Sequence, residues 1–224
     1  MMRLSGLLAL FVLLLQINSF SQEIPGQYIM QWEDPLQTGE SLKRYTSTGE
    51  VETEVIRFES GRYALSLKSA DSLSGIMPNR FFVGDFVLTM DLHLAHGPSD
   101  SSGYFAFHFA RRDSLNYYRI IVRPVEGAYN IALEAMQRGE HSVLEQIEVD
   151  RSFLPPDGWF HFGLRHNILE GSILLWLHKT KSPIMKVMSR KLVLGAFMYE
   201  SYHLTSGVDN INVYAPTRLD ELIE

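Results

Sequence analysis

A strict alternation of apolar and polar side chains in the middle of the chain restricts what this sequence can fold into. From Phe86 to Leu94 every even-numbered residue is apolar, whereas the odd-numbered residues include Thr89, Asp91 and His93. Successive side chains leave a pleated strand on opposite sides, so a β-strand is the element that sorts residues in this way. The pattern predicts a strand with one side in the core and the other facing solvent.

Similar runs extend over most of the chain. Residues 103–109 and 116–123 alternate in the same way, and roughly a dozen short runs are separated by turn residues about every ten positions. No long segment shows the 3.6-residue period of a helix. We therefore predict an all-β, two-layer antiparallel β-sandwich over residues 22–215, followed by a short tail at 216–224.

The first 21 residues have the pattern of a signal peptide. Arg3 supplies a positive start, residues 7–15 form a short apolar run, and Ser19 and Ser21 are the small residues of a cleavage site. We predict cleavage after Ser21, a secreted or periplasmic protein, and no membrane span in the mature chain. The alternative is an uncleaved anchor, but a spanning helix needs about 20 apolar residues, and this run is shorter.

Charge and composition argue against several classes of protein. The net charge of −6 becomes −7 when Arg3 leaves with the signal peptide, and an acidic surface does not suit a nucleic acid partner. The chain has no cysteine and no Asn-x-Ser/Thr acceptor site, which favours a bacterial exported protein. It also lacks the motifs of serine hydrolases, helical zinc proteases and nucleotide-binding loops.

Four segments between residues 81 and 214 carry a resemblance to a known family. In order, they are FFVGDFVLTMDLHL, GYFAFHFARRDSLNYYRIIV, GWFHFGLRHNILEGSILLWL and GVDNINVY. Over residues 62–215 the chain resembles the concanavalin A-like lectin/glucanase superfamily, especially its laminin G-like jelly rolls. The resemblance implies two curved antiparallel sheets, with glycans bound at the concave face or at loops along its rim. It does not imply catalysis, because one fold hosts many functions.

The side chains opposite the predicted core suggest a binding surface. We expect these residues to face inward: Phe105, Phe107, Phe109, Tyr118, Ile120, Val122, Phe160, Phe162 and Leu164. If the runs pair as neighbours, the opposite sides form one surface that carries Asp91, His93, Tyr104, His108, Tyr117, Arg119, Arg123, Trp159, His161 and Arg165. Rings and charged groups mixed in this way suit a carbohydrate or a surface glycan. The alternative is a solvated face with cross-strand pairs such as Asp91 with an arginine.

Catalysis is the less favoured function. Retaining glycosidases place two carboxyl groups about 5–5.5 Å apart, and the glucanase members carry a Glu-x-Asp-x-x-Glu string that this chain lacks. The candidates here are Glu50, Glu52 and Glu54, or Glu148 with Asp150, and both sets are typical of solvated outer strands. We predict a non-catalytic domain, with a glycoside hydrolase that uses an atypical acid pair including Asp91 as the alternative. A structural or adhesion module that binds a protein partner is a third possibility.

Metal sites and tryptophan platforms are weaker hypotheses. Asp91 and His93 together with His96, His108 or His161 have the composition of a two-histidine, one-carboxylate site, although their order is reversed from that of jelly-roll oxygenases. Asp209 matches a position that the resemblance associates with structural calcium, and a turn-stabilising role is the alternative. No other cofactor is predicted. Three tryptophans are candidate sugar platforms, of which the last, flanked by two leucines, also fits the core: Trp32, Trp159 and Trp176.

Overall fold

The computed structural model describes residues 24–36, 38–79, 82–94, 102–155, 157–178 and 180–216. Two single-turn 3-10 helices occur there, at Ser41–Arg44 and Arg151–Phe153. The strands, in chain order, are β1 (Tyr28–Asp34), β2 (Tyr45–Thr48), β3 (Val51–Arg57), β4 (Tyr63–Ser69), β5 (Gly75–Pro78), β6 (Phe82–Val83), β7 (Phe86–Leu94), β8 (Tyr104–Asp113), β9 (Asn116–Val125), β10 (Ala128–Gln137), β11 (Glu140–Asp150), β12 (Trp159–Asn167), β13 (Ser172–Leu177), β14 (Met185–Met188), β15 (Leu194–Tyr202) and β16 (Ser206–Pro216).

The strands form two layers. In the first sheet the order is β11-β10-β9-β8-β15, extended by β5 and β2. In the second sheet the order is β14-β13-β12-β7-β16, and the free edge of β16 is covered by β4 along one half and by β1 along the other. The layers are joined by a single parallel bridge between Tyr202 of β15 and Ser69 of β4. The predicted all-β jelly-roll sandwich is confirmed.

The core lies between the two sheets and contains the residues that alternation assigned to it. Every even-numbered residue from Phe86 to Leu94 is buried, and the predicted inward residues of β8, β9 and β12 belong to the same apolar cluster. Rings from opposite layers meet there: Phe86 lies 4.9 Å from Phe197 and Phe107 lies 6.5 Å from Phe162, between ring centroids. Burying such aromatic side chains contributes about 1.5–3 kcal/mol each.

Two strands were missed by the sequence reading. β2 and β5 fall in residues 37–49 and 69–79, whose polar sequences with Gly and Pro are typical of loops. They pair with each other, and β5 pairs with β15 through Tyr199 and Glu200, which extends the first sheet. The predicted signal peptide and the tail after Pro216 lie outside the described residues. Within the described residues, no helix is long and apolar enough to cross a membrane.

Local features of the β8–β9 hairpin set the geometry of the first sheet. Asp113 pairs with Asn116 across a two-residue turn, and its carboxylate accepts hydrogen bonds from the Leu115 N–H (2.7 Å) and the Asn116 amide (3.0 Å). A bulge between Phe109 and Asp113 shifts the register of β8. Gly195 of β15 lies against this bulge, where an added Cβ would come within 2.5 Å of the β8 backbone. Only glycine therefore permits this approach.

Candidate functional site

Strand order divides the predicted binding surface between two sheets. β7 pairs with β12 and β16, whereas β8 pairs with β9 and β15. The outer side of the second sheet carries Asp91, His93, Trp159, His161 and Arg165, and the outer side of the first sheet carries Tyr104, His108, Tyr117, Arg119 and Arg123. The prediction of one continuous surface is therefore wrong, because alternation fixes the side of a strand but not its neighbours. We call these two surfaces the second-sheet face and the first-sheet face.

Glu200 is the centre of a buried hydrogen-bond network on the first-sheet face. It accepts hydrogen bonds from the Tyr104 hydroxyl (2.8 Å), the Leu73 N–H (2.9 Å) and His108 Nε2 (2.8 Å). Glu200 and His108 are both 0% exposed. Burial acts to raise the pKa of Glu200, but the hydrogen bonds from His108, Leu73 and Tyr104 outweigh it and lower that pKa. The carboxylate is thus ionised at neutral pH and locks the Tyr104 and His108 rings in place.

Burial lowers the pKa of His108, and the Glu200 carboxylate opposes that shift only in part. The neutral imidazole therefore donates its Nε2–H to Glu200, which fixes the tautomer. Its ring lies 4.8 Å from that of Tyr117, between centroids. His108 was predicted to contact a ligand, but its position beneath these neighbours makes it part of the support of the face.

A second network on the same face centres on Glu134. Arg119 Nε donates to Glu134 Oε2 at 2.8 Å, and His141 Nε2 lies 2.9 Å from the same oxygen. Burial acts to raise the pKa of Glu134, but these two partners outweigh it and lower the pKa. The Arg119 guanidinium also lies 6.0 Å from the Tyr104 ring and 5.9 Å from the Tyr117 ring. Arg119 is thus held by both a carboxylate and two aromatic faces.

The accessible part of the first-sheet face is a row of rings and an arginine. Tyr202 pairs with Tyr104 across β15 and β8, their rings lie 5.2 Å apart, and His203 stacks on Tyr202 at 4.0 Å. The Arg123 guanidinium lies 5.4 Å from the Tyr104 ring. His203 also lines a groove of about 750 Å³ with residues of β3, β4 and the turns beside them: Gly49, Glu50, Val51, Glu52, Lys68, Ser69 and Ala70.

On the second-sheet face, Asp91 is fully engaged with its neighbours. Oδ1 lies 2.8 Å from His161 Nδ1, and Oδ2 accepts from Arg62 Nη1 and Asn210 Nδ2, each at 2.8 Å. Burial acts to raise the pKa of Asp91, but these hydrogen bonds and the Arg62 charge outweigh it and lower the pKa. The alternative that Asp91 pairs with an arginine is therefore realised, and the partner is Arg62.

Asp209 lies beside Asp91 at a paired position of β16. Its Oδ1 accepts from the Asn210 N–H at 2.9 Å, and its Oδ2 lies 3.8 Å from Arg62 Nε. Burial, together with the nearby Asp91 charge, raises the pKa of Asp209 to about 6. Calcium needs about six oxygen ligands, and here an arginine occupies the position that a cation would take. The residues thus fit a turn-stabilising role at the β16 bulge better than a calcium site.

The aromatic residues of the second-sheet face are packed against one another. Trp159 is 3% exposed, donates through Nε1 to Ser60 Oγ at 3.1 Å, and lies under the Arg62 guanidinium at 4.7 Å. Phe58 lies 5.2 Å from the Trp159 ring and 5.3 Å from the His93 ring. Trp159 and His93 therefore close this face against the β3–β4 hairpin, and neither offers a flat surface to a sugar.

The other candidates have separate locations. Trp32 is buried with the Arg44 guanidinium 3.8 Å from its ring, whereas Trp176 is half-buried on the outer side of β13, opposite Gly163, and does not belong to the core. Arg165 lies beside Tyr28, whose pKa is raised by burial. The acids considered for catalysis, apart from Asp91, are all exposed: Glu50, Glu52, Glu54, Glu148 and Asp150.

No group of three metal-ligating side chains occurs in the part of the chain that the structure describes. Asp91 and His161 are in contact, but His108 belongs to the other sheet, and His96 lies outside the described residues.

Sequence reasoning missed the two acids that organise the first-sheet face and the arginine that organises the second. Glu200 lies in β15 and Glu134 in β10, and neither was named among the predicted site residues. Extending the alternation through Met198, Glu200 and Tyr202 would have placed Glu200 on the same side of the strand as Tyr202. Arg62 is contributed by the turn into β4, and its partners are distant in sequence.

Comparison with known proteins supports the fold. No family model matches the sequence, and no curated protein matches it. The structure is similar to the carbohydrate-binding module CBM66 from Bacillus subtilis (14% identity, 77% of this chain and 96% of that chain, TM-score 0.57). It is also similar to the cellulose induced protein Cip1 (14%, 84% and 98%, 0.60) and to the Bacillus licheniformis beta-glucanase (9%, 82% and 97%, 0.57). These similarities confirm the jelly-roll fold that the resemblance implied.

Proposed function

We propose that this chain is a secreted, non-catalytic carbohydrate-binding domain, and that the first-sheet face holds the glycan. The observation that carries the proposal is the state of the side chains on that face. Buried acids fix Tyr104 and Arg119 from below, while Tyr202, His203 and Arg123 remain accessible above them. The names of two similar structures, a carbohydrate-binding module and a glucanase, support a sugar as the ligand.

Each part of the face has a role in sugar binding. The stacked Tyr202 and His203 rings supply an apolar surface for the C–H side of a pyranose. The guanidinium of Arg123 donates hydrogen bonds in a planar fork to hydroxyl or acidic oxygens. Tyr104 and Glu200 act as positioning residues, because they hold the arginines and rings before the ligand arrives, which lowers the entropy cost of binding. The groove beside His203 extends this surface for a longer chain.

A glycan array with matched variants tests the proposal. We expect the wild type to bind at least one glycan, Tyr202→Ala to lose most of the signal, and Trp176→Ala on the second-sheet face to retain it. Both variants remove a partly exposed ring, so each serves as the control for the other. Loss of binding in Trp176→Ala alone would move the site to the second sheet, and absence of binding by the wild type would favour a protein-binding module.

One observation favours a glycoside hydrolase as the second candidate. Asp91 and Asp209 both lie within 4 Å of the Arg62 guanidinium, with a lowered pKa on Asp91 and a pKa of about 6 on Asp209. An ionised carboxylate beside a protonated one is the pair that glycoside hydrolysis uses. However, the Asp209 side chain is only 2% exposed and lies behind Arg62. Hydrolysis of a polysaccharide panel by the wild type, abolished in Asp209→Asn, would establish the enzyme and overturn our proposal.

Export is part of the proposal and rests on the sequence of residues 1–21. The expected mature protein begins at Gln22. Mass spectrometry of the protein recovered from the medium or periplasm of a bacterial host would give its N-terminus, and a protein that retains Met1 in the cytoplasm would contradict secretion.

A further inference from the structure

The first-sheet face carries a local excess of positive charge on an acidic chain. Three arginines lie on it: Arg119 and Arg123 from β9, and Arg111 from β8, which is close enough to lower the pKa of both His108 and Tyr117 by its charge. Two acids, Glu134 and Glu200, lie among them. The chain as a whole has a net charge of −6. Within β8, β9, β10 and β15 this face therefore carries three guanidinium groups against two carboxylates, in contrast to the acidic chain as a whole.

Both acids are hydrogen-bonded to protein groups within the face. Glu200 accepts three hydrogen bonds and is 0% exposed, and Glu134 is 4% exposed and shared by Arg119 and His141. The next acid on this side of the sheet is Glu148, which lies on the edge strand β11, opposite Asn130 of β10. Glu134 and Glu200 are thus unavailable to a ligand, whereas Arg123 remains accessible, and the exposed Glu148 lies two strands away from it, beyond Asn130.

Arg123 has no acidic partner among the described residues, whereas Arg111 lies close enough to the exposed Asp113 for its charge to act on that carboxyl. Neither forms an ion pair with, or donates a hydrogen bond to, any residue that the structure describes, and the buried Nε of Arg111 has no acceptor. A buried donor without an acceptor costs about 1–3 kcal/mol. Arg123 is oriented by the Tyr104 ring at 5.4 Å and not by a carboxylate. A ligand that brings anionic oxygens to the accessible part of these guanidinium groups would give Arg123 the partner that the described residues do not supply.

From this arrangement we infer that the glycan is anionic, with carboxylate or sulfate groups on its sugars, and that Arg123 and Arg111 recognise those groups. The inference rests on the proposed function, since it specifies the ligand of the same face. Guanidinium groups bind carboxylate and sulfate oxygens through two parallel hydrogen bonds, which a neutral sugar hydroxyl cannot accept in the same way. The Tyr202 and His203 rings would contact the uncharged part of the same sugars.

Pairs of polysaccharides that differ only in charge provide the test. The probes are polygalacturonate with its fully methyl-esterified form, and dextran sulfate with dextran; affinity is measured by titration calorimetry on the mature chain. We expect the charged member of at least one pair to bind about tenfold tighter or more, since a charge-assisted hydrogen bond contributes about 1.5–3 kcal/mol. The two pairs distinguish a carboxylate from a sulfate as the group recognised.

Variants assign the preference to the arginine. Arg123→Gln should lose about tenfold for the charged probe and less than that for the neutral member of the pair, and Arg123→Lys should retain part of the affinity because the charge remains. Arg57→Gln removes an exposed arginine from β3 of the other sheet and should change nothing. Circular dichroism melts confirm that each variant is folded.

Four results would overturn the inference. Equal affinity for both members of each pair would do so, as would full affinity in Arg123→Gln. Array signals restricted to neutral glycans would overturn the preference for anions and leave the proposed function standing. A wild type that binds no glycan of any charge would remove both.

Discussion

The outer faces of the two sheets carry similar side chains and use them differently. On the second-sheet face, Asp91 accepts three hydrogen bonds, and Trp159 is packed under Arg62 and Phe58. On the first-sheet face the acids are buried and hydrogen-bonded to protein groups, whereas Arg123 and Tyr202 remain accessible. The composition of a face thus says little about binding. What separates the two is which groups still lack a partner after the chain has folded.

The largest effect should come from the buried centre of the first-sheet face. Glu200→Ala leaves the Tyr104 hydroxyl, the Leu73 N–H and His108 without their acceptor. Removing one member of a buried charged network costs about 3–5 kcal/mol, so we expect a loss of that size in urea unfolding at pH 7. Glu200→Gln, which keeps an acceptor oxygen, is the milder control. A loss below about 1 kcal/mol for the alanine variant would show that the network does not support this face.

Asp209 on the second-sheet face should respond to pH with the opposite sign to Glu134 on the first. The pKa of Asp209 is raised to about 6 in the folded protein against 3.8 in an unfolded chain. The stability from its bound proton is therefore complete below pH 3.8 and is lost as pH rises through about 6. Asp209→Asn should be more stable than the wild type at pH 7 by about 1–3 kcal/mol, and the difference should disappear near pH 4.

Glu134 provides the matched control for this pH series. Its pKa is lowered, so the stability it contributes is present at neutral pH and is lost as pH falls through its folded pKa. Glu134→Gln should therefore be less stable than the wild type at pH 7 and approach it in acid. Parallel pH profiles for Asp209→Asn and Glu134→Gln would contradict the contrast between the faces.

Arg62 should matter moderately for stability and little for binding. It bridges Asp91 and Asp209 and covers the Trp159 ring. Arg62→Ala removes a hydrogen bond to a partly buried carboxylate, which contributes about 1–2 kcal/mol. We expect a loss of that size in chemical unfolding, with glycan affinity unchanged at a temperature where the variant is folded. A large loss of affinity would place the ligand on the second sheet.

The smallest effect on stability should be that of Arg123→Ala. Arg123 makes no ion pair or hydrogen bond to the residues described, so its removal should change the free energy of unfolding by less than about 0.5 kcal/mol. Glycan affinity should fall in the same variant. We therefore predict different effects for the two arginines: Arg62→Ala lowers stability, and Arg123→Ala lowers glycan affinity. A destabilisation by Arg123→Ala as large as that of Arg62→Ala would remove this distinction.

Much of the fold could be predicted from the sequence, because alternation is a local property. The strand Phe86–Leu94 and the inward rings of β8, β9 and β12 follow directly from the period of two. β2 and β5 were missed because they contain little apolar alternation and are fixed by pairing with each other. Their stability comes from contacts distant in sequence, which a local pattern does not contain.

The site was harder to predict than the fold. Alternation correctly placed Asp91 and His108 on outer sides of their strands, but it could not show that β7 and β8 belong to different sheets. The pairing of β15 beside β8 brings Glu200 to His108 across 92 positions, and Arg62 reaches Asp91 across 29. Such contacts depend on topology. The sequence therefore predicted which residues lie on the outer sides of the strands, but not which of them contact one another.

The most direct test of the central claim is a nuclear magnetic resonance titration of the isotope-labelled mature chain with the oligosaccharide that gives the strongest array signal. We predict shift changes that cluster in β8, β9 and the end of β15, around Tyr104, Arg123 and Tyr202. Changes that cluster instead around Asp91, His161 and Trp176 would place the ligand on the second sheet and contradict the account.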